Sequence, residues 1–177
     1  NHNVLYLAWE RTNTLGSANM DFEINHNTQV TNLSGTGSKT ITRTAGDLLV
    51  RYDFSGGGTS PTLSLSTWLT SGHNDSASDC EASNALPCWG NSVDLSAAGY
   101  ADGSVNAVAT TDTIPNPDVS LPIATFGEAA VDLTAAGVFP ANTCEGFGSV
   151  FLKSRSSASF TAELKDFIAP AAVNISN

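Results

Sequence analysis

Basic residues are scarce in this chain. Lysine and arginine number 7 among 177 residues, against 17 aspartates and glutamates, which leaves a net charge of −10. A nucleic acid needs a basic surface to neutralise its phosphates, so nucleic-acid binding is excluded as an expectation. An anionic membrane surface is excluded on the same ground. Charge of either sign is thin: 14% of residues are charged, where an average soluble protein has roughly 25%. No apolar run approaches the ~18 residues that a membrane span requires, so insertion is not expected. Nothing resembles a signal peptide, and the expectation is a mature or trimmed product. There are three cysteines and three histidines, and no histidine lies near a cysteine at metal-ligand spacing, which argues against zinc.

Serine, threonine, asparagine and glycine fill the space that charge leaves. They make polar neutral faces and many turns, the composition of an extracellular β-protein. The clearest strand signals sit at the centre. In 46–54 Leu48, Val50, Tyr52 and Phe54 share one face, while Asp47, Leu49, Arg51 and Asp53 share the other. In 62–69 Leu63, Leu65 and Leu69 oppose Ser64 and Ser66. Side chains alternate across a strand, so each run has one dry and one wet face. Gly56, Gly57, Gly58 and Pro61 supply the turn between them.

The same period recurs along the chain. Val4 to Arg11 is apolar on both faces, which predicts a strand covered on both sides. After a turn with Asn13 and Gly16, Ala18 to Asn25 alternates Ala18, Met20, Phe22 and Ile24 inward with Asn19, Asp21, Glu23 and Asn25 outward. These two runs are expected to form a hairpin. A polar loop over 27–38 leads to a short strand over Lys39 to Thr44. Further strands are expected at Val93 to Leu95, Ser104 to Thr110, Ala124 to Leu133, Gly146 to Lys153 and Ala158 to Phe167, with one helical turn at Thr134 to Phe139. The three prolines in Asp112 to Pro122 forbid a regular element there. The class is all-β, a two-sheet antiparallel β-sandwich of jelly-roll or concanavalin-like kind, since the chain is longer than an immunoglobulin domain of about 100 residues. One domain covers 1–169, and 170–177 reads as an exit segment.

Thr70 to Asn91 breaks the pattern with a long Ser-, Asp- and Asn-rich excursion. Loops this long in a compact domain are functional or tied down. Cys80 and Cys88 within it are a plausible small disulfide, which leaves Cys144 without an assigned partner. Trp89, in an irregular loop, is the leading anchor for a glycan; Tyr100, Trp68 and Tyr52 are further aromatic candidates. For Trp68 and Trp9 the simpler reading is core packing, because both lie in strands.

Asp75, Asp79 and Glu81 add carboxylates to the same excursion, and Asp47, Asp53, Asp21 and Glu23 are further oxygen ligands for Ca²⁺, a cation that takes six to eight such donors. The simpler reading for these acids is a solvated face. Lys165 with Glu128 could form an internal isopeptide bond, or an ordinary buried ion pair, with Lys39 and Lys153 as rival amines. The bond needs a desolvated neutral lysine. Catalysis is not expected: the histidines lack a partnered nucleophile, and a glycosidase would need a close carboxylate pair such as Glu128 with Asp53 or Glu23.

Four stretches together carry a resemblance: Leu-Tyr-Leu-Ala-Trp-Glu-Arg-Thr-Asn (5–13), Gly-Asp-Leu-Leu-Val-Arg-Tyr-Asp-Phe (46–54), Phe-Gly-Glu-Ala-Ala-Val-Asp-Leu-Thr (126–134) and the run 153–167. In order, they resemble the N-terminal domain of secreted, cell-wall-anchored proteins of Gram-positive bacteria, especially actinobacteria, which carry prealbumin-like (SpaA or Cna-B type) stalk repeats. The resemblance implies an extracellular, surface-displayed, adhesin-like role, with a glycan or a cell-surface protein as partner. The alternative is a structural stalk or filament subunit that self-associates.

Overall fold

The computed structural model describes residues 2–12, 14, 17–28, 41–54, 60–139 and 145–176. The Gly56–Gly58 turn, Asn13, Gly16, most of the 27–38 loop, Lys39 and Cys144 lie outside them. Twelve strands follow in chain order: β1 (Val4–Glu10), β2 (Ala18–Asn25), β3 (Leu48–Phe54), β4 (Thr62–Leu69), β5 (Cys88–Trp89), β6 (Val93–Asp94), β7 (Ala101–Val105), β8 (Thr110–Asp112), β9 (Val119–Leu121), β10 (Phe126–Asp132), β11 (Gly146–Arg155) and β12 (Leu164–Ser176). The one α-helix among the described residues is a single turn, α1 (Leu95–Ala98), capped by Asp94 and closed by Gly99 in the left-handed conformation. Residues 133–137 form hydrogen-bonded turns and 138–139 a bend, in place of the expected helical turn.

The strands build a sandwich of two antiparallel sheets. The large sheet runs β12-β11-β2-β3-β4-β5, with β6 also beside β4; the small sheet runs β1-β10-β7. A separate hairpin, β8-β9, stands off them. It occupies the proline-rich stretch expected to be irregular. The predicted β1-β2 hairpin does not form: β1 pairs with β10, and β2 lies between β3 and β11 in the opposite sheet. Nor is β1 covered on both sides. It is an edge strand with Leu7 and Trp9 buried, while Val4 and Tyr6 face outward. Residues 41–44 are not a strand. Residues 170–176, expected as an exit segment, continue β12.

The inner faces meet as the alternation predicts. Met20, Phe22, Ile24, Leu48, Val50, Tyr52, Leu63 and Leu65 of the large sheet pack on Leu7, Trp9, Val105, Ala129 and Val131 of the small one. Tyr52 stands edge-on to Trp9, with ring centroids 5.5 Å apart. Its hydroxyl donates to the Ser104 carbonyl at 2.6 Å, so the one polar atom it carries into the core is satisfied. Burial raises the pKa of this phenol. Gly127, opposite Trp9, makes room for the indole: a Cβ there would lie 2.5 Å from its ring.

At the edge of the large sheet, β12 carries three bulges against β11, each adding one residue to β12, and Pro170 lies within it. Bulges and proline are the devices that blunt an exposed strand edge.

Candidate functional site

The outer face of the large sheet was expected to be wet. It is buried. All eight residues of β2 are buried, and Asn19, Asp21, Glu23 and Asn25 share their face with Asp47, Leu49, Arg51, Ser66, Phe151 and Arg155, all buried too. Three segments fold over this face: 41–47, the disulfide excursion, and the turn after β11. A bare charge in such a layer would be costly, and the cations answer that cost pairwise.

Arg155 donates from Nε to Asp21 and from Nη2 to Asp53, both at 2.8 Å, and from Nη1 to the carbonyls of Ser157 and Ser159. Arg43 grips both oxygens of Glu23 in a bidentate pair and lies 5.0 Å over the Trp68 ring. Lys153 approaches Glu23 at 3.5 Å, and Arg51 approaches Glu81 at 3.6 Å. Burial holds the carboxyls of Asp21 and Asp53 above their ordinary range, against the opposing pull of Arg155. Asp47 buckles a corner: it accepts from the His26 and Thr44 backbone N–H groups, each at 2.8 Å.

These contacts reassign the acids proposed as calcium ligands. Asp21, Glu23 and Asp53 are matched to cations, and Asp47 is spent on backbone donors. Asp75 accepts from Thr70 N–H at 2.7 Å, and Glu81 from Ser92 N–H at 2.9 Å. Among the described residues no group of three His, Cys, Asp or Glu side chains converges on a metal site. The expected loop disulfide, Cys80–Cys88, is present.

Trp89 is not an exposed ring. It is only 8% exposed, packed edge-on against Trp68 at 5.1 Å, because β5 adds to β4 and carries it onto the sheet. Tyr52 belongs to the core. Lys165 and Glu128 are both exposed, and Lys165 pairs with Glu163 at 2.7 Å. The desolvation that an isopeptide bond or a buried pair requires is absent from both. Glu128 also lies on the small sheet, whereas Glu23 and Asp53 lie on the large one, so no carboxylate pair forms from them.

The open candidate surface lies on the other side of the molecule. The outer face of the small sheet is three strands wide, about 10 Å at the usual strand spacing. Its registers run Tyr6–Ala130–Asp102 and Ala8–Glu128–Ser104. Ala8, Ala130 and Ser104 are small, so a shallow groove of about 430 Å³ remains among them. Tyr6 stands at its side, 78% exposed, and Glu128 and Asp102 line it. Tyr100, at 36% exposure, immediately precedes β7, and its carbonyl accepts from Asp132 N–H. Among the described residues no lysine or arginine lines the groove. The sequence contains none from Tyr52 to Leu152, a stretch that includes β7 and β10.

Sequence reading missed Tyr6 because its strand looked apolar on both faces. The signal was there in part: Tyr6 shares a face with Ala8 and is followed by Glu10, a weaker run than Leu5-Leu7-Trp9. Comparison with protein-family models, with curated proteins and with solved structures finds no match to this chain.

Proposed function

We propose that the chain is an extracellular, surface-displayed binding module of adhesin type, and that it takes a glycan on the outer face of the small sheet. The observation that carries this reading is Tyr6: a large aromatic ring, almost fully exposed, beside a floor of small residues with two carboxylates in reach. The C–H face of a sugar ring stacks on an aromatic face, and its hydroxyls donate to carboxylate oxygens. Carboxylates without a cation repel uronic or sialic acids, so the favoured ligand is neutral or amino-bearing. The low-charge, Ser- and Thr-rich composition and the disulfide suit an oxidising, extracellular setting. The resemblance to the N-terminal domains of Gram-positive cell-wall-anchored proteins supports the same placement.

The test is a glycan array of neutral, amino and acidic saccharides, run with the wild-type chain, Tyr6→Ala and Glu128→Gln. Tyr6→Ala is expected to weaken any neutral or amino-sugar binding at least tenfold, about 1.4 kcal/mol. Binding that survives Tyr6→Ala unchanged, or that selects acidic saccharides, ends this reading.

A further inference from the structure

One sheet edge among the described residues is long, regular and unguarded. β12 has its bulges and Pro170, and β5 and β6 are two residues each. In β7 the Asp102 side chain accepts from the N–H of Gly103 at 2.9 Å. β1 has none of these guards. It pairs with β10 over seven residues in one unbroken register and contains no proline, glycine or lysine. Such an edge is a template for another strand. Its free groups can be assigned. Arg11 N–H donates to the Thr125 carbonyl and Leu133 N–H to that of Asn3, at the two ends of the pairing. Hydrogen-bonded pairs alternate along an antiparallel ladder, so the odd-numbered residues of β1 bond to β10. Val4, Tyr6, Ala8 and Glu10 therefore turn N–H and C=O to the free side.

The small sheet stops short of the large one on this side. Tyr52 of β3 reaches both Trp9 of β1 and Ser104 of β7, and Leu63 of β4 lies against Gly103 of β7. β2, β3 and β4 are thus the strands beneath the small sheet, and β11 and β12 run on past β1. That overhang is two strands, about 10 Å at the usual spacing. Burial fades along the inward row Phe22–Leu152–Ile168, from 5% exposure at Phe22 to 63% at Ile168. Beside β1 lies a groove of about 590 Å³, with Met20, Leu152 and Ile168 as its apolar lining. Lys153 and Arg155 turn to the other face of the large sheet, to Asp21, Glu23 and Asp53, and Lys165 is held by Glu163.

We infer that β1 is an acceptor edge: an extended segment of a partner polypeptide adds to it, antiparallel, as a fourth strand of the small sheet, with alternate side chains in the groove. The partner's chemistry follows from the surfaces it meets. An extended backbone presents donors and acceptors at the two-residue spacing of Val4, Tyr6, Ala8 and Glu10. Its inward residues meet Leu152 and Ile168 and are apolar. Its outward residues stand beside Tyr6 and Glu10, on the face that carries Glu128 and Asp102. Charge complementarity there favours lysine, with threonine as a neutral strand former, and disfavours aspartate and glutamate. A second folded copy does not fit. Its own large sheet overhangs its β1 by the same two strands, and the overhangs would collide before the two β1 edges met. The inference stands apart from the glycan reading, because main-chain bonds to β1 do not need the Tyr6 ring.

An array of peptides as long as β1, alternating apolar residues with lysine or threonine, tests this against the wild-type chain, with block isomers of the same composition as controls. Alternating peptides are expected to bind and block isomers to fail. In amide hydrogen exchange the free chain should protect Leu7 and Trp9 but not Tyr6 and Ala8, and a bound peptide should slow Tyr6 and Ala8 at least about tenfold. N-methylation of the peptide along the edge that meets β1 should weaken binding at least about tenfold, and along its other edge under about twofold. Ala8→Pro removes one outward N–H and none from the β1–β10 ladder, a place where an edge strand tolerates proline. With circular dichroism unchanged, it is expected to weaken peptide binding at least about tenfold, as is Ile168→Asp in the groove. Tyr6→Ala, which ends glycan binding, should leave the peptide within about threefold, so the two readings fail separately. Tyr6 and Ala8 amides already protected in the free chain overturn the proposal. So does an array without bound peptides, equal binding of block isomers, or binding indifferent to edge methylation.

Discussion

The large sheet turns Asp21, Glu23, Arg51, Asp53 and Arg155 away from the core and then covers them with three further segments. The small sheet turns Tyr6, Asp102 and Glu128 away from the core and leaves them in solvent. Both faces arise from the same two-residue alternation. They differ in the cations within reach. Arg43, Arg51, Lys153 and Arg155 neutralise the acids of the large-sheet face, so chain can be laid over it without stranding charge. Among the described residues no lysine or arginine pairs with Asp102 or Glu128 of the small-sheet face, and covering these two would carry the full desolvation penalty. The distribution of the described basic residues thus separates the side of an acidic sandwich that is closed from the side that is open.

Breaking the covered face has the largest expected effect. Arg155→Ala leaves Asp21 and Asp53 buried without their cation, and a loss of about 3–5 kcal/mol in chemical denaturation is expected. A loss under about 1 kcal/mol would mean that water enters this layer freely. The disulfide comes next. Replacing Cys80 and Cys88 together by serine frees the excursion that carries Glu81 and Trp89 onto the sheet, with about 2–3 kcal/mol lost for so short a loop. Tryptophan fluorescence should report it directly, because Trp89 and Trp68 would separate.

The two faces also answer acid in opposite directions. Asp21 and Asp53 are held above their ordinary value of 3.8, so the folded state takes up protons first, and stability from these groups rises as pH falls toward that value. Asp132, on the small sheet, is held below 3.8 chiefly by the Ala135 N–H, with His2 assisting. Its contribution is present above that value and is lost as pH falls through its folded pKa. Asp53→Asn should therefore flatten the stability gain on the acid side of neutral, and Asp132→Asn should remove a loss at lower pH. Denaturant midpoints measured across the acid range check both slopes, and identical profiles would erase the distinction. The smallest change in stability is expected on the open face. Tyr6→Ala and Glu128→Gln should each shift unfolding by under about 0.5 kcal/mol, whatever they do to binding.

Much of the sandwich was legible in the residues. Leu48, Val50, Tyr52 and Phe54 face the core as their spacing predicts, and so do Ala18, Met20, Phe22 and Ile24. Pairing was not legible, because alternation fixes faces and not neighbours: β1 and β2, adjacent in sequence, ended in different sheets. The covered acids misled for a related reason. Asp21 and Glu23 look solvated in a strand of their own, and the arginines that pair with them lie outside it, Arg43 20 residues beyond Glu23 and Arg155 134 residues beyond Asp21. Trp89 misled because two residues of pairing with β4, too short to show as periodicity, were enough to fold it down. The loop disulfide was readable from spacing alone.

The corkscrewed last strand limits how such molecules can crowd together. With three inserted residues and a proline, β12 offers no flat ladder on which a neighbouring chain could zip. At high local density, contacts between copies must therefore go through side chains and shaped surfaces, which separate again, and not through shared backbone ribbons, which do not.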